Sequence, residues 1–331
     1  MLKNICLLLF FTKSIFAQNT TKRADLFVRD PFILTDTKTK TYYLYASAKD
    51  TTLMPNGNNG IVVYTSKDLN HWESPKPVFE IPNDSWASPR HGAWAPEVHF
   101  YKGKYYLFVT LSNPEKPLPN DKGRNMPMRG TTILVSDKPD GIFTPLKNEP
   151  HTPADWMSLD GTLFIENGQP YLVFCHEWVQ IETGTFERIK LSKNLKNTEG
   201  VAKTIFKVTD ANWVKSINAK PYNATGFVSD GAWFYRTKTG KLLMLWSSFS
   251  SCGYTVGIAE SSNGKLTGAW KQQQDVLYCN NGGHAMLFKT FEGRLMMTLH
   301  QPNSGNIRAR IFEMEDLGNT IKIKNEMPFE N

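Results

Sequence analysis

Residues 159–178 read LDGTLFIENGQPYLVFCHEW, and this stretch decides the fold. A β-prone run is followed by the turn residues Asn167 and Gly168, and then by an aromatic-rich run that ends in polar residues. Two such runs on either side of a turn are typical of a β-hairpin. We therefore predict two antiparallel strands here, with Asp160 just before the first strand and Glu177 at the end of the second.

Four other stretches repeat this pattern. They are RDPFILTDTKTKTYYLYASA (29–48), WAPEVHFYKGKYYLFVTLS (94–112), SDGAWFYRTKTGKLLMLWSS (229–248) and GGHAMLFKTFEGRLMMTLHQ (282–301). Aligned on the residue before the first strand, the copies begin at Asp30, Ala95, Asp160, Asp230 and Gly283, at spacings of 65, 65, 70 and 53 residues. Each spacing holds one four-stranded sheet with its loops. The sequence thus predicts an all-β, five-bladed β-propeller over residues 24–331 as a single domain.

The composition agrees with this fold. Hydrophobic residues make up 40% and charged residues 21% of the 331 residues, which excludes a disordered or fibrous chain. An aromatic fraction of 12%, beside 23 Gly and 19 Pro, favours short strands and many turns. The formal charge of +7 is spread over single basic residues among acids, so nucleic acid is not an expected partner.

The first residues resemble an export signal. Lys3 precedes an apolar run over residues 5–11, and Ala17 is a small residue where a signal peptidase could cut. We predict a signal peptide over residues 1–17 and a secreted or periplasmic, monomeric protein; the alternative is a short buried N-terminal strand. Nothing later approaches the roughly 20 apolar residues of a membrane span.

Three cysteines remain after that signal, namely Cys175, Cys252 and Cys279. An odd number argues against a disulfide framework, and Cys252 with Cys279 is the pair to consider. No Cys or His spacing indicates zinc.

Carboxyl groups gather at one end of the predicted propeller. The innermost strand of a blade lines the axis, so Asp30, Asp160 and Asp230 all lie at the mouth of an axial funnel. Converging carboxyls raise one another's pKa, which is costly unless they perform chemistry or bind a cation. The alternative is that each Asp is an ordinary turn residue before Gly or Pro.

Glu177 ends near the same funnel, because the second strand of a hairpin runs back toward the start of the first. A Glu between Cys175 and Trp178 should have a raised pKa, as a general acid requires at neutral pH. The alternative is a structural partner of a basic residue such as Arg236. Glu97, on the first strand of the second copy, is expected to be structural or to contact substrate.

Together these five segments resemble glycoside hydrolase family 43, over about residues 24–310. The resemblance implies a five-bladed propeller that hydrolyses arabinosides, xylosides and some galactosides with inversion. It implies Asp30 as the general base and Asp160 as the residue that orients the acid and tunes its pKa.

The general acid of that family is usually a Glu followed by Gly at the start of the fourth blade, where this chain has Asp230 before Gly231. Glu177 is therefore our preferred proton donor, with Asp230 second. A Glu-Gly-Val at Glu199 lies in a polar segment between blades and is read as coincidence.

The resemblance implies no required cofactor. Members often hold a cation or a water cluster on the axis near a His of the fifth blade, which matches His284, so calcium is the candidate ion. The alternative is a hydrogen-bonded core His. Flat and polar side chains near the funnel are predicted to bind sugar: Trp86, His91, Trp94, Trp178, Trp233 and Arg236.

The predicted function is an exo-acting, inverting glycosidase that releases terminal arabinofuranose, xylose, galactose or galactofuranose from polysaccharide side chains. Long loops over residues 53–60, 83–92 and 113–129 would wall the funnel into a pocket. Two alternatives stay open. One is a retaining fructan-type propeller, although its opening Asn-Asp-Pro-Asn is replaced here by Arg29-Asp30-Pro31-Phe32. The other is a noncatalytic carbohydrate-binding propeller, which Asp230 in place of Glu would permit.

Overall fold

The computed structural model describes residues 20–48, 51–119 and 122–330. The predicted signal peptide lies outside these residues. Within them the strands form five antiparallel sheets, one for each repeated hairpin, and one further two-stranded hairpin. The predicted all-β, five-bladed propeller is confirmed.

The strands follow one another blade by blade along the chain. Blade 1 contains β1 (Thr20–Lys22), β2 (Phe32–Asp36), β3 (Thr41–Ser47), β4 (Gly60–Ser66), β5 (His71–Glu73) and β6 (Lys76–Glu80). Blade 2 contains β7 (Trp94–Tyr101), β8 (Lys104–Pro117), β9 (Pro127–Ser136) and β10 (Thr144–Pro145). Blade 3 contains β11 (Ser158–Glu166), β12 (Gln169–His176), β13 (Thr185–Leu191) and β14 (Thr198–Lys207).

The chain then forms the extra hairpin before the last two blades. Its strands are β15 (Ile217–Ala219) and β16 (Ala224–Gly226). Blade 4 contains β17 (Asp230–Arg236), β18 (Leu242–Ser250), β19 (Gly253–Ser261), β20 (Trp270–Gln272) and β21 (Tyr278–Cys279). Blade 5 contains β22 (Gly283–Lys289), β23 (Leu295–Gln301), β24 (Arg308–Asp316) and β25 (Ile321–Met327). The helical segments are one short α-helix, α1 (Trp178–Ile181), and 3₁₀ turns at Arg23–Asp25, Thr51–Leu53, Val208–Asp210 and Lys220–Tyr222.

The first strand of each repeated hairpin lies at the centre of the molecule. Strand β2 contacts β7 and β22, and β11 contacts β7 and β17, while β17 also contacts β22, so these five strands close a ring around the axis. The hairpin turns have the geometry that their sequences predict. Asn167 and Gly168 have φ of 49° and 73°, and they connect the paired residues Glu166 and Gln169. Positive φ at both central residues suits the right-handed twist of the strands.

Aromatic side chains fill the spaces between neighbouring sheets. Trp246 of blade 4 lies with its ring centroid 5.6 Å from that of Phe186 in blade 3, and both side chains are fully buried. Rings of this size carry much of the apolar area that a sheet-on-sheet core buries. The aromatic-rich second strands therefore stabilise the contacts between blades.

Residues near the two ends of the described chain close the ring. The buried guanidinium group of Arg23 donates to the carbonyl oxygens of Ala309, Met327 and Pro328, at 3.3, 2.9 and 2.8 Å. Blade 1 is thereby joined to blade 5. Strand β1 lies before residue 24, the predicted start of the propeller, and pairs with β5.

Each inner strand has a residue with positive φ near its beginning, and this residue marks the true equivalence of the blades. The five are Asp30 (49°), Ala95 (46°), Asp160 (54°), Gly231 (52°) and His284 (56°). The last four coincide with a break in the pairing of the inner strand with the second strand. Our sequence alignment was thus wrong by one residue in blades 4 and 5, because the residue types before an inner strand do not show which position has positive φ. Asp230 is equivalent to Leu159, not to Asp160.

A disulfide joins Cys252 to Cys279, whose Cα atoms are 5.7 Å apart. This is the pair of cysteines that the sequence offered for a disulfide. No helix among the described residues is long and apolar enough to cross a membrane.

Candidate active site

Three side chains at equivalent blade positions converge on the axis. His284 Nδ1 lies 3.5 Å from Asp30 Oδ1 and 3.7 Å from Asp160 Oδ2. The other two equivalent positions hold Ala95 and Gly231, whose small size leaves room for this cluster. A Cβ atom on Gly231 would lie 3.3 Å from the His284 ring, closer than most Cβ contacts.

Side chains of the preceding blade contact each of these three residues. The backbone N–H of Asp160 donates to Thr110 Oγ1 (2.9 Å) and that of His284 to Ser247 Oγ (2.8 Å), while the backbone nitrogen of Asp30 lies 3.3 Å from His300 Nδ1. Thr110, Ser247 and His300 are equivalent too, since each pairs with the residue just before the left-handed one. The polar ends of the aromatic-rich strands thus fix the left-handed residues of the next blade.

Asp30 is held in its ionised form. Burial raises the pKa of its carboxyl, but the charges of His284, His300 and Arg29 and the hydrogen bond from His300 more than offset this and hold the pKa well below its usual range. The distance from Asp30 Oδ1 to His300 Nδ1 is 3.1 Å. An ionised carboxylate at neutral pH can accept a proton.

Asp160 behaves in the opposite way. Burial raises the pKa of its carboxyl to about 8, with further upward contributions from Asp230 and Asp30, although His284 and a hydrogen bond from Gly231 act downward. The Gly231 N–H donates to Asp160 Oδ2 at 2.9 Å. Asp160 is therefore largely neutral at pH 7.

Asp230 reaches the same cluster from one position earlier in its blade. Its Oδ2 accepts a hydrogen bond from the Tyr254 hydroxyl at 2.9 Å. Burial raises the pKa of Asp230, while His284 and Tyr254 act downward and Asp30 acts upward.

Glu177 is buried and paired with a cation. Its Oε2 accepts a hydrogen bond from Arg129 Nη1 at 2.5 Å, and 5% of its surface is exposed. Burial raises the pKa of Glu177 above its usual value, although Arg129 acts downward. The basic partner is Arg129 and not Arg236, which the sequence offered as a possible partner.

These carboxyls line one cavity of about 640 Å³. Trp94 and Trp178, two of the predicted sugar-binding residues, line it as well. His91 is not among the lining residues, and its ring centroid lies 6.2 Å from that of Trp94. The remaining lining residues come from all five blades, their connections and the extra hairpin: Phe27, Arg29, Ser47, Ala48, Asn59, Gly92, Ala93, Arg129, Leu159, Ile217, Ala219, Tyr222, Val228, Phe249, Tyr254 and His284.

Three other predicted sugar-binding residues are placed elsewhere. Trp233 lies deeper along the axis, stacked on His99 at 5.9 Å. Arg236 is six residues beyond Asp230 on the same strand, about 20 Å away along it, and its guanidinium group donates to the carbonyl oxygens of Gly240 and Gly264. Trp86 is buried and donates to Thr132 Oγ1. These three residues do not line the cavity, and packing between blades was the alternative for each of them.

Both other glutamates that the sequence discussed lie outside the cavity lining. Glu97 is buried and its Oε2 lies 3.0 Å from His99 Nε2. This contact fits a structural role, which was one of the two roles expected for Glu97. Glu199 is exposed on β14, the outer strand of blade 3, away from the cavity.

Calcium near His284 was the expectation for the propeller axis. Among the residues that the structure describes, no three His, Cys, Asp or Glu side chains group as metal ligands. Calcium takes six to eight oxygen ligands, and His284 Nδ1 faces the carboxyl groups of Asp30 and Asp160. Burial lowers the pKa of His284, but Asp30, Asp160 and Asp230 raise it overall. Calcium binding at His284 stays a prediction, which activity with and without a chelator would test.

Sequence reasoning missed four residues of this site. They are Arg129, Tyr222, Tyr254 and His300. A signal existed for His300, because it stands where the other repeats have Thr110 and Ser247. Arg129 and Tyr222 had none, since they lie in segments that we predicted as loops or did not assign.

Comparisons with known proteins agree with the fold. The family model described as glycosyl hydrolases family 43 matches residues 24–319. A crystal structure of an endo-arabinase from Bacteroides thetaiotaomicron VPI-5482 is 42% identical, covers 89% of this chain and 97% of its own, and has a TM-score of 0.77. An exo-1,5-alpha-L-arabinanase from a bovine ruminal metagenomic library shares the fold, with a TM-score of 0.59 and 17% identity; the match covers 94% of this chain and 99% of that chain.

A shorter match links the chain to a curated protein. An extracellular endo-alpha-(1->5)-L-arabinanase 1 from Bacillus subtilis (strain 168) is 34% identical over 58 residues. This match spans 16% of the present chain and 18% of that relative.

The propeller and its funnel of carboxyls define a carbohydrate-hydrolysing class of enzyme. The chain belongs to family 43 of the glycosyl hydrolases.

Proposed function

We propose that the protein hydrolyses α-L-arabinofuranosyl linkages with inversion and releases single sugars from chain ends. The observation that carries this proposal is that an ionised carboxylate, Asp30, and a carboxyl with a raised pKa, Glu177, line the same cavity. The sugar is inferred from the relative that is 42% identical and is named an endo-arabinase.

Asp30 is the general base of the proposed reaction. It removes a proton from a water molecule as the water oxygen forms a bond to the anomeric carbon. A base must be ionised before the reaction, and His284, His300 and Arg29 keep Asp30 in that state. Asp30 is protonated at the end of the step and returns its proton to solvent, while the ionised Glu177 takes one up from solvent before the next turnover.

Glu177 is the proposed general acid. Its proton moves to the glycosidic oxygen while the bond from that oxygen to the anomeric carbon breaks, and the bonding electrons stay with the oxygen. Among the four carboxyls, Asp30 is ionised and Asp160 Oδ2 already accepts the Gly231 N–H. The pKa of Asp230 is also raised, chiefly by burial, although the Tyr254 hydroxyl donates to it and acts downward, so Asp230 is the second candidate for the acid. Inversion requires the two reacting carboxyls to stand about 6.5–9.5 Å apart, with room for water.

The assignment of the acid is tested by two variants and two classes of leaving group. Glu177→Gln should cripple hydrolysis of natural arabinosides but spare aryl arabinosides with acidic leaving groups, because these need no proton. Asp230→Asn should damage both through altered positioning or binding. The reverse pattern would make Asp230 the proton donor.

The stereochemistry of the first-formed product separates inversion from retention. Proton NMR of the released arabinose, recorded before mutarotation, should show the anomer opposite to that of the substrate. Retention would instead support the fructan-type alternative, and no turnover of any nitrophenyl glycoside would support a binding protein. Matched xylosides, galactopyranosides and galactofuranosides complete the sugar panel.

Release of single units is inferred from the walls of the cavity. Tyr222 and Ile217 of the extra hairpin line one wall, and Trp94 and Phe27 line others. The name of the 42% identical relative favours internal cleavage as the second candidate. Linear α-1,5-arabinan should yield arabinose alone from the start of the reaction; early oligosaccharides would establish internal cleavage.

We also propose export from the cytoplasm, on the sequence of residues 1–17 alone. Expression of the full chain in its host should give a mature N-terminus just after Ala17. A full-length chain that still begins at Met1 and stays in the cytoplasm would contradict this proposal.

A further inference from the structure

Arg129 is a buried cation beside the proposed proton donor. It lies on β9, in blade 2, with 2% of its surface exposed, and it lines the cavity. Its Nη1 donates to Glu177 Oε2 at 2.5 Å across the gap between blades 2 and 3. A charged group buried this deeply is costly unless it is paired and hydrogen-bonded, so its position calls for a reason.

The guanidinium group is fixed on several sides. Its Nε donates to Ser112 Oγ at 3.0 Å and its Nη2 to the Tyr222 hydroxyl at 3.1 Å. The guanidinium carbon lies 4.6 Å from the centre of the Trp94 ring and 5.5 Å from that of Tyr222. Planar stacking and forked hydrogen bonds are properties that Lys cannot reproduce. Arg129 is thus rigid, and its donor to Glu177 points in one direction.

We propose that Arg129 is the positioning residue of the general acid: it holds Oε2 of Glu177 so that Oε1 carries the proton toward the glycosidic oxygen. The inference rests on the proposed role of Glu177 as acid and extends it to a residue of a different blade. Arg129 touches no reacting atom in this scheme and acts through Glu177.

The charge of Arg129 serves the same step. When Glu177 gives up its proton, a carboxylate forms in a buried site, and the adjacent cation stabilises it. Asp230 and Cys175 are the other titratable groups that interact electrostatically with Glu177. Tyr222 faces Glu177 through Arg129, from which it accepts a hydrogen bond. Without Arg129, burial and Asp230 would leave Glu177 a weaker and misdirected acid.

Leaving-group dependence distinguishes positioning of the acid from a merely structural role. Arg129→Met should lower the rate on natural arabinosides by about 100-fold but the rate on dinitrophenyl arabinoside by less than about 5-fold, because only poor leaving groups need the proton. The rate of Arg129→Lys on natural arabinosides should fall between those of Arg129→Met and the wild type, because Lys keeps the positive charge but lacks the forked N–H donors of Arg. The basic limb of kcat/KM should move to higher pH in Arg129→Met, because loss of the cation raises the pKa of the acid.

A matched control is Arg23→Met, which removes another buried arginine at the closure between blades 1 and 5. It should lower the melting temperature and leave the ratio of the two rates unchanged. If Arg129→Met does not fold, Tyr222→Phe removes one hydrogen bond to Arg129 and should change the rate ratio in the same direction, by less.

Two results overturn different parts of the account. Equal loss on both substrates in folded Arg129→Met or in Tyr222→Phe, with an unmoved basic limb, would overturn the role of Arg129. Full activity of Glu177→Gln on natural arabinosides would instead overturn the assignment of Glu177 as the acid. The two failures are distinguished because the second is measured with Arg129 intact.

Discussion

Asp30 and Asp160 occupy equivalent positions in blades 1 and 3, yet their carboxyls are in opposite states. Both have positive φ, at 49° and 54°, and the backbone nitrogen of each faces a side chain of the preceding blade. The pKa of Asp30 lies well below its usual range, whereas burial and neighbouring carboxyls raise that of Asp160 to about 8.

The neighbours, and not the backbone, account for this difference. Asp30 faces His300 and Arg29 and shares His284 with Asp160. Asp160 receives a neutral N–H from Gly231 and feels the charges of Asp230 and Asp30. A repeat can thus supply the same position several times, and the residues around it then assign each copy a different chemical role.

The largest effect is expected at Asp30. Asp30→Asn should keep the fold and lower kcat by about 10³- to 10⁴-fold on every substrate, because the water loses its base. Steady-state rates with arabinan and with an aryl arabinoside measure this. A variant that keeps more than a tenth of wild-type activity would remove Asp30 as the base.

Asp160→Asn is the matched variant at the equivalent position. At pH 7 it replaces a largely neutral carboxyl by a neutral amide whose oxygen can still accept the Gly231 N–H, so a loss of only about tenfold is expected. The same rate measurements apply. A loss as large as that of Asp30→Asn would show that Asp160 works as an anion and that the contrast between the two residues is wrong.

His300→Gln sharpens the comparison through pH. Asp30 must be ionised to accept a proton, so kcat/KM falls as the pH drops through the pKa of Asp30. Loss of His300 removes a charge and a hydrogen bond that lower this pKa, and the acidic limb should therefore move to higher pH. A pH profile from acid to neutral conditions checks this, and an unmoved limb would place another group in control.

The smallest effect on activity is expected from removing the hydrogen bonds by which one blade holds the residue with positive φ in the next blade. Thr110→Val removes the hydrogen bond to the Asp160 N–H, and Ser247→Ala removes the equivalent one to His284. Each should lower the free energy of unfolding by about 1 kcal/mol with nearly unchanged activity. Denaturant unfolding measures this loss; a change below the error of the method in both variants would mean that these bonds do not fix the cluster.

The sequence predicted the fold well because the hairpins carry their own signals. Turns such as Asn167-Gly168 and the alternating aromatic strands need only local information. Asp30, Asp160 and Glu177 could be placed near one funnel because strand direction follows from the hairpins.

The remaining features of the site depend on contacts between blades. The shift of the equivalent position from Asp230 to Gly231 is invisible in the pattern of residue types. The pairing of Arg129 with Glu177 joins residues 48 positions apart in different blades, and the extra hairpin that carries Tyr222 has no counterpart in the other repeats. Trp233 and Arg236 were predicted to bind sugar because of their residue types. Both lie further along their strand than the funnel mouth and do not line the cavity.

Neutron diffraction from a deuterated crystal near neutral pH would locate the protons of the Asp30 and Asp160 carboxyls. We expect a deuterium on the Asp160 carboxyl, at Oδ1 because Oδ2 accepts the Gly231 N–H, and none on Asp30. A deuterium on Asp30 with a bare Asp160 would contradict this expectation.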